Sequence, residues 1–152
     1  MTITYSIENP YEIKDELLPL HLEHYKDDHR KEEADLNIDW EQYDEWFASG
    51  KLTAVIARDE GGIVGYVTAL VGCHQHNKDY ASASMDTLFV KDSHRKGGVA
   101  TQLISHLEEF LIEQDVAYFS AGFRKEETAE GVVGKLGYTK IECTFGKSLR
   151  GK

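Results

Sequence analysis

Cysteine, proline and long apolar runs are scarce in this chain. Only two of its 152 residues are cysteines and only two are prolines. Two thiols, Cys73 and Cys143, make no disulfide framework, so we expect a reduced, cytoplasmic setting. No stretch approaches the roughly 18 consecutive apolar residues of a membrane helix. The first five residues, MTITY, lack the basic and apolar blocks of a secretion signal, so no membrane association is expected.

Positive charge is also in short supply, which argues against a nucleic-acid partner. The formal net charge is −10. Residues 1–60 carry 16 acidic and 6 basic side chains, whereas residues 61–152 carry 11 of each. Binding to phosphate backbones requires clustered Lys and Arg side chains. The acidic part is either a solvated surface or a region that attracts a cationic small molecule or a basic peptide.

The rest of the composition, 41% hydrophobic and 29% charged, is that of a globular protein, and we expect one domain over residues 1–152. Hydrophobic periodicity and turn residues predict the order β-α-α-β-β-β-α-β-α-β-β. The predicted segments are Thr2–Ile7, a helix from Asn9-Pro10 to Asp28 with a kink or break at Pro19, Trp40–Ala48, Leu52–Arg58, Ile63–Val71, Tyr80–Val90, Val99–Glu113, Val116–Phe123, Glu126–Leu136, and one or two strands in Tyr138–Leu149.

The segments from Tyr80 to Phe123 form a strand, a turn, a helix and a second strand. Such a crossover joins parallel strands, whereas the hairpin before it joins antiparallel ones. The sequence therefore predicts an α/β fold with a mixed sheet and helices on both faces.

The turn between Val90 and Val99 has the features of a phosphate site. Gly97 and Gly98 let the backbone approach a ligand closely. The helix that follows begins with unpaired N–H groups at the positive end of its dipole, and Arg95 with Lys96 would add charge. A pyrophosphate suits such a turn, although an ordinary glycine turn contains the same residue types.

The turn and its flanks carry a family resemblance. RKGGVA, at residues 95–100, resembles the Arg/Gln-x-x-Gly-x-Gly/Ala motif of the GNAT superfamily of acyl-CoA N-acyltransferases. The resemblance extends through the strand TLFV before it, the helix end EEFL after it, and KLGY at residues 135–138. The predicted element order is also that of the GNAT fold. The overall pattern resembles short members of the family found in bacteriophage genomes.

The resemblance implies a mostly antiparallel sheet with a splayed parallel strand pair. It also implies transfer of an acetyl or short acyl group from acyl-CoA to a primary amine by direct attack. Acetyl-CoA is the implied cosubstrate, no metal is implied, and a homodimer is left open. The acidic character of residues 1–60, rather than the resemblance, adds the expectation that the acceptor is a cationic small molecule or peptide. The implied cofactor-binding residues are Leu88, Phe89 and Val90 for the pantetheine, and Arg95, Lys96, Gly97, Gly98, Val99, Ala100 and Thr101 for the pyrophosphate.

The chain departs from the family pattern after the fifth strand. The family often carries an asparagine there and, seven residues later, a tyrosine that protonates the leaving thiolate. These positions are Glu126 and Val133 in this chain. Tyr138 and Tyr118 are the nearby candidates for a catalytic acid. A CoA-binding module without chemistry, or a host-directed phage protein that uses the scaffold for contacts only, are the alternatives.

Asp86 is the candidate catalytic base or amine anchor. It lies two residues before Leu88, so regular strand alternation would place both side chains on the same face, with Asp86 near the acceptor amine. A rim aspartate in a strand pair is the alternative.

Four histidines and a group of aromatics are weaker candidates. His74 and His76 are expected to be polar loop residues, and His21 and His24 to be solvent-facing or packing residues, rather than metal ligands. The aromatic face of the second predicted helix forms either core or an acceptor pocket; it consists of Trp40, Tyr43, Trp46 and Phe47.

Overall fold

The computed structural model of the chain describes residues 2–28, 31 and 34–150. The strands in this part of the chain are β1 (Thr4–Ile7), β2 (Leu52–Asp59), β3 (Gly62–His74), β4 (Asn77–Val90) and β5 (Tyr118–Ser120). The α-helices are α1 (Lys14–Tyr25), α2 (Trp40–Ser49), α3 (Val99–Glu113) and α4 (Glu126–Val133). Short 3₁₀ turns occur at Asp92–His94 and Gly134–Leu136.

The strands form a mixed sheet in the order β1-β2-β3-β4-β5. Neighbours pair antiparallel from β1 to β4, and only β4 and β5 run parallel. This confirms the predicted α/β architecture, because a parallel neighbour requires a crossover, and α3 supplies it.

The two faces of the sheet carry separate apolar clusters. α3 covers one face because its apolar positions recur at helical spacing; its buried residues are Val99, Leu103, Ile104, Leu107 and Leu111. α1 covers the other face through Leu17 and Leu20, which pack with Tyr66 and Phe89 of the sheet. Each such fully buried aliphatic side chain contributes roughly 1.5–3 kcal/mol, so both helices are held mainly by packing.

Local sequence signals place the start of α2 and both ends of α3 as predicted, and α2 ends at Ser49, one residue later than predicted. Asp39 Oδ1 accepts a hydrogen bond from the Gln42 N–H at 2.9 Å, which caps α2. Gly50 ends α2 in the left-handed conformation with φ of 79°. α3 has the predicted bounds, Val99–Glu113.

The first helix begins later than Pro10 predicts, and it is not interrupted at Pro19. Pro10 does not begin α1, because the side chain of Asn9 accepts the Tyr11 N–H at 3.0 Å and holds a turn before Lys14. Pro19 does not break α1, which continues from Lys14 to Tyr25. The proline removes one backbone hydrogen bond, whereas the burial of Leu17 and Leu20 holds the helix on both sides of it.

The predicted strands in Tyr138–Leu149 are wrong, since the structure has no strand in this segment. Phe145 is 95% exposed, and Ile141 and Leu149 are also largely exposed. Alternating apolar residues indicate a strand only when a partner edge is within reach. Here β5 pairs over three residues, Tyr118–Ser120, rather than over the predicted Val116–Phe123.

No helix of residues 2–28 and 34–150 combines the length and apolarity that crossing a membrane would require.

Candidate active site

The parallel strands β4 and β5 separate after a short paired stretch. Ser82–Ser84 pair with Tyr118–Ser120. β4 then continues for six residues to Val90, whereas β5 ends at Ser120. A gap therefore opens beside the last part of β4, as the predicted splayed pair requires.

The edge of β4 that faces this gap offers backbone groups at two positions. The Lys91 N–H donates to Val64 O of β3 at 2.9 Å. Because backbone directions alternate along a strand, the amide of Phe89, which is paired with Tyr66, also faces β3. Leu88 and Val90 therefore direct their N–H and C=O groups toward the gap.

The turn after β4 leads into the open N-terminus of α3. Gly98 has φ of 76° at the N-cap position, and no side chain caps the helix. A Cβ at Gly98 would have no atom within 4 Å, so the glycine is required by its backbone conformation rather than by crowding. The N–H groups of the first turn, at Val99, Ala100 and Thr101, are the unpaired donors of a helix start. The Thr101 side chain itself donates to Val132 O at 2.8 Å.

Arg95 braces the turn instead of pointing its charge at the helix start. Its Nε donates to Val90 O at 2.7 Å, and its guanidinium pairs with Asp92 at 2.5 Å. The guanidinium also lies 5.4 Å from the centre of the Phe89 ring. Its backbone N–H is directed at Asp92 O. The Arg95 guanidinium is therefore held by contacts within the turn, whereas the Lys96 side chain is exposed to solvent.

Asp86 does not share a face with Leu88, so that expectation is wrong. Thr68 pairs with Thr87 and Ala69 pairs with Met85, which leaves Asp86 as the extra residue of a β-bulge. Met85 and Leu88 both pack against the α3 cluster. The charge of Asp86 instead acts on Tyr43 of α2.

The face under α1 and α2 is where Asp86 meets aromatic side chains. Burial, with a smaller effect of the Asp86 charge, raises the pKa of Tyr43 to about 12. Tyr43 lies 5.9 Å from Trp40, centre to centre. α2 has no fully buried residue, and its four aromatic side chains are half-buried. Trp40 packs against the cluster formed by α1 and the sheet, so at least this residue of the aromatic face contributes to the core.

A family model for the GNAT acetyltransferases matches residues 12–138, which include both the gap and the turn. The chain belongs to the GNAT acetyltransferase family. It is an acetyl-CoA-dependent N-acetyltransferase. A search of curated proteins finds no match by sequence.

Solved structures of acetyltransferases share the fold at low identity. An aminoglycoside acetyltransferase from an uncultured soil metagenomic sample has a TM-score of 0.77 at 20% identity, over 98% of this chain and 99% of that one. A ribosomal-protein-alanine N-acetyltransferase from Brucella melitensis biovar Abortus 2308 has a TM-score of 0.73 at 16% identity, over 98% and 100%. A predicted acetyltransferase from Clostridium acetobutylicum, solved with acetyl-CoA, has a TM-score of 0.72 at 16% identity, over 97% of each chain.

The position of the usual family tyrosine is part of the core in this GNAT protein. Val133 of α4 is 7% exposed and belongs to the cluster under α3. Tyr138 also packs against that cluster, and its hydroxyl donates to Glu108 Oε2 at 2.8 Å. Burial and the Glu108 carboxylate raise the pKa of Tyr138. The two predicted catalytic residues, Asp86 and Tyr138, therefore lie on opposite faces of the sheet.

His94 holds the turn after β4 against a neighbouring hairpin, and no pattern in the sequence predicts this contact. His94 Nε2 contacts Asp59 Oδ2 at 2.9 Å, which ties the 3₁₀ turn to the β2–β3 hairpin. The Gly61 N–H and, to a smaller extent, His94 lower the pKa of Asp59. The partners are 35 positions apart, so only the fold brings them together.

A second set of histidines lies under α1. The Tyr66 hydroxyl is 2.9 Å from His24 Nδ1 and 3.0 Å from His21 Nδ1. Burial lowers the pKa of His21 to about 4 and also lowers that of His24. The histidine pair was predicted to pack or to face solvent, and it is the packing arrangement that occurs. Its bridge through Tyr66 was not predicted.

A cavity of about 1700 Å³ lies beside β5 and α4, and no residue of β4 lines it. It separates β5 and α4 from the segment that follows Tyr138. Among the described residues no group of three or more candidate ligands could hold a metal, and His74 and His76 stay an isolated exposed pair.

Proposed function

We propose that this acetyltransferase moves the acetyl group of acetyl-CoA to a primary amine of a cationic small molecule. The observation that carries the proposal is the gap beside β4, which ends at the open N-terminus of α3. The pyrophosphate takes the N–H groups of the Gly98–Thr101 turn, where the helix dipole favours an anion. The pantetheine runs along the edge of β4 at Leu88 and Val90.

Leu88 and Val90 polarise the thioester in this arrangement. Their N–H groups face the gap, so either can donate to the thioester oxygen as negative charge develops there. Phe89 contributes its ring to the opposite face instead. Fixed backbone donors of this kind need no reorganisation during the reaction, which is why a strand edge suits the task.

Asp86 receives the acceptor on the α1/α2 side. Its carboxylate attracts an ammonium group and takes up its proton, and the free amine then attacks the thioester carbon. The bulge holds this exposed carboxylate beside Tyr43, on the face with the half-buried aromatics of α2. Val133 has no hydroxyl, so the leaving thiolate takes its proton from another source.

The charge distribution supports a cationic acceptor. The 16 acidic against 6 basic residues of positions 1–60 include those of α1 and α2. Glu41 and Glu45 are exposed carboxylates of α2, the helix that also carries Tyr43. The similar fold of an aminoglycoside acetyltransferase agrees with an acceptor that carries several amines.

An acceptor screen tests the proposal. Thiol release from acetyl-CoA is measured with sisomicin, spermidine, a peptide that begins with alanine, and glutamate. We expect sisomicin and spermidine, which carry several amines, to react fastest. Their apparent affinity should weaken between about 0.05 and 0.5 M salt, because exposed charges are screened beyond roughly 10 Å at 0.1 M salt. Preference for glutamate, or salt-independent affinity for sisomicin, would contradict a cationic acceptor. Failure of calorimetry to detect acetyl-CoA binding would contradict the cosubstrate site.

A further inference from the structure

The bulge in β4 is held by a side chain of the neighbouring strand. The Thr87 N–H donates to Thr68 Oγ1 at 3.2 Å, and the Thr87 hydroxyl oxygen lies 2.6 Å from the same atom. A bulge disrupts the ladder of backbone hydrogen bonds at the extra residue. Here a side-chain oxygen of β3 accepts a backbone N–H of β4 directly beside the extra residue, Asp86.

Thr68 lies on the face of the sheet that α1 covers. Val67 and Ala69, its neighbours in β3, are both buried in the cluster under α3. Because side chains alternate along a strand, the Thr68 side chain is directed to the other face, as that of Tyr66 is. Thr68 is 3% exposed, so water has little access to its hydroxyl. A buried N–H that lost this acceptor would not readily find another, and leaving it without one is costly.

Asp86 and Thr87 are directed to that same face. Met85 and Leu88, the residues on either side of them, both pack against the α3 cluster. A regular strand would put residues three apart on opposite faces, and the extra residue of the bulge accounts for the difference. Asp86 alternates with Met85, and Thr87 alternates with Leu88. The exposed carboxylate of Asp86 therefore lies beside Thr87 on the side of α1 and α2.

The contact with Thr68 fixes the peptide bond that joins Asp86 to Thr87. The Thr87 N–H is part of that planar unit, so its hydrogen bond sets the orientation of the plane. The second contact, between the two hydroxyls, holds the Thr87 side chain as well. One hydroxyl donates to the other, and the Thr68 oxygen keeps a lone pair for the N–H. The backbone next to Asp86 is thus held at two atoms of Thr87.

We infer that Thr68 is a positioning residue for acetyl transfer, whose hydroxyl holds the bulge and thereby keeps the Asp86 carboxylate where the acceptor amine arrives. This role rests on the proposed function, in which Asp86 takes up a proton of the ammonium group. Thr68 takes no part in the proton transfer itself. Without its hydroxyl, the carboxylate would be present but no longer held in one place. Rate falls steeply when a general base loses hydrogen-bonding reach of its proton.

The first test is Thr68→Val, which removes the hydroxyl and keeps the branched shape. We expect it to lower kcat with sisomicin about tenfold, less than the roughly 100-fold loss expected when the Asp86 carboxylate itself is removed. The affinity for acetyl-CoA should stay within about threefold, because the turn at Gly98 is unchanged. Thr68→Ser, which keeps the oxygen, should restore kcat to within about twofold of the wild type.

Thr53→Val is the matched control. Thr53 lies in β2 and is 4% exposed, and its hydroxyl has no hydrogen-bond partner among the described residues. The same substitution there removes a buried hydroxyl that holds no backbone group. Neither kcat nor the affinity for acetyl-CoA should change.

A double mutant separates positioning from a general effect on stability. If Thr68 acts through Asp86, Thr68→Val should change kcat less than about twofold in a protein that already carries Asp86→Asn. An equal loss of kcat in both backgrounds would mean that Thr68 acts independently of Asp86, and would overturn the inference. Wild-type kcat in a folded Thr68→Val protein would overturn it as well.

If Thr68→Val does not fold, NMR of the wild-type protein decides. The Thr68 hydroxyl proton should exchange slowly with water and show a nuclear Overhauser effect to the Thr87 amide proton. Rapid exchange, or no such effect, would overturn the contact. Failure of the proposed function is a separate result, because the wild-type protein would then show no turnover with the amine panel, or Asp86→Asn would be as active as the wild type.

Discussion

Asp86 and Leu88 lie two residues apart in β4 yet face opposite sides of the sheet. The bulge at Asp86 inserts one extra residue between the pairs Thr87–Thr68 and Met85–Ala69. It reverses the alternation that a regular strand would keep. The carboxylate is thereby separated from the α3 core and placed next to Tyr43, and the last six residues of β4 keep a free edge toward the gap.

The carboxylate of Asp86 should be needed for turnover but not for acetyl-CoA binding. We expect Asp86→Asn to lower kcat by about 100-fold, the usual scale of a lost general base, because the amide can neither take up a proton nor attract the ammonium. The steady-state rate of thiol release with sisomicin as acceptor measures this change in kcat. Asp79→Asn, in the exposed first part of β4, is the control. Equal rates for wild type and Asp86→Asn would remove Asp86 from the mechanism.

Gly98 should be required for acetyl-CoA binding because its φ is 76° and it precedes the open N-terminus of α3. A valine there must either adopt a strained left-handed backbone, at roughly 1–2 kcal/mol, or change the turn. We expect Gly98→Val to abolish binding in titration calorimetry.

The matched control for Gly98 is Gly50→Val. Gly50 has φ of 79° and likewise no atom within 4 Å of an added Cβ, but it ends α2. Gly50→Val should lower the free energy of unfolding about as much as Gly98→Val does, but it should leave the affinity for acetyl-CoA unchanged. Wild-type affinity in Gly98→Val would move the pyrophosphate elsewhere.

The His94–Asp59 contact should stabilise the conformation of the turn after β4, because it ties that turn to the β2–β3 hairpin. Removing it with His94→Ala deletes one charge-assisted or neutral hydrogen bond, which is worth about 1 kcal/mol. We therefore expect acetyl-CoA affinity to fall several-fold and the Tm to fall by a few degrees. His106→Ala, which removes the α3 histidine that stacks on Tyr5 and not the contact with the turn, should change neither the affinity nor the rate. A His94→Ala protein with full affinity would show that the turn holds its shape without the hairpin.

Protonation of the histidines under α1 should destabilise the fold at mildly acidic pH. The fold lowers the pKa of His21 from 6.5 to about 4, so the unfolded chain binds more protons between these values. Stability is therefore complete above about pH 6.5 and falls as the pH drops toward 4, by about 2 kcal/mol at pH 5 from His21 alone. His24 acts in the same direction. Urea unfolding at pH 7.5 and 5.0 measures the effect.

His21→Gln should show a smaller difference between the two pH values than the wild type does. An equal pH dependence in both proteins would mean that other groups cause the acid sensitivity.

The sequence predicted the parts of this protein that depend on neighbouring residues. The bounds of α3 follow from its apolar spacing and those of α2 from Asp39 and Gly50, and the β2–β3 hairpin follows from two apolar runs around a glycine turn. RKGGVA indicated the turn at the start of α3, because glycines and a helix start are local features. The same local reasoning failed at Pro10, where a turn held by Asn9 delays the start of α1 to Lys14.

The tertiary structure decided which distant groups meet. A bulge depends on how two strands pair, so strand alternation alone put Asp86 on the wrong face. The Tyr66 hydroxyl reaches His21 and His24 across more than 40 positions, and His94 reaches Asp59 across 35. The segment Tyr138–Leu149 alternates like a strand but has no partner edge in the structure. The sequence by itself determined elements and turns, because these are set by periodicity, caps and glycines. Only the tertiary structure determined on which face of the sheet Asp86 lies, which distant side chains form hydrogen bonds, and which strand edges stay without a neighbouring strand. These features depend on pairing between residues far apart in the chain.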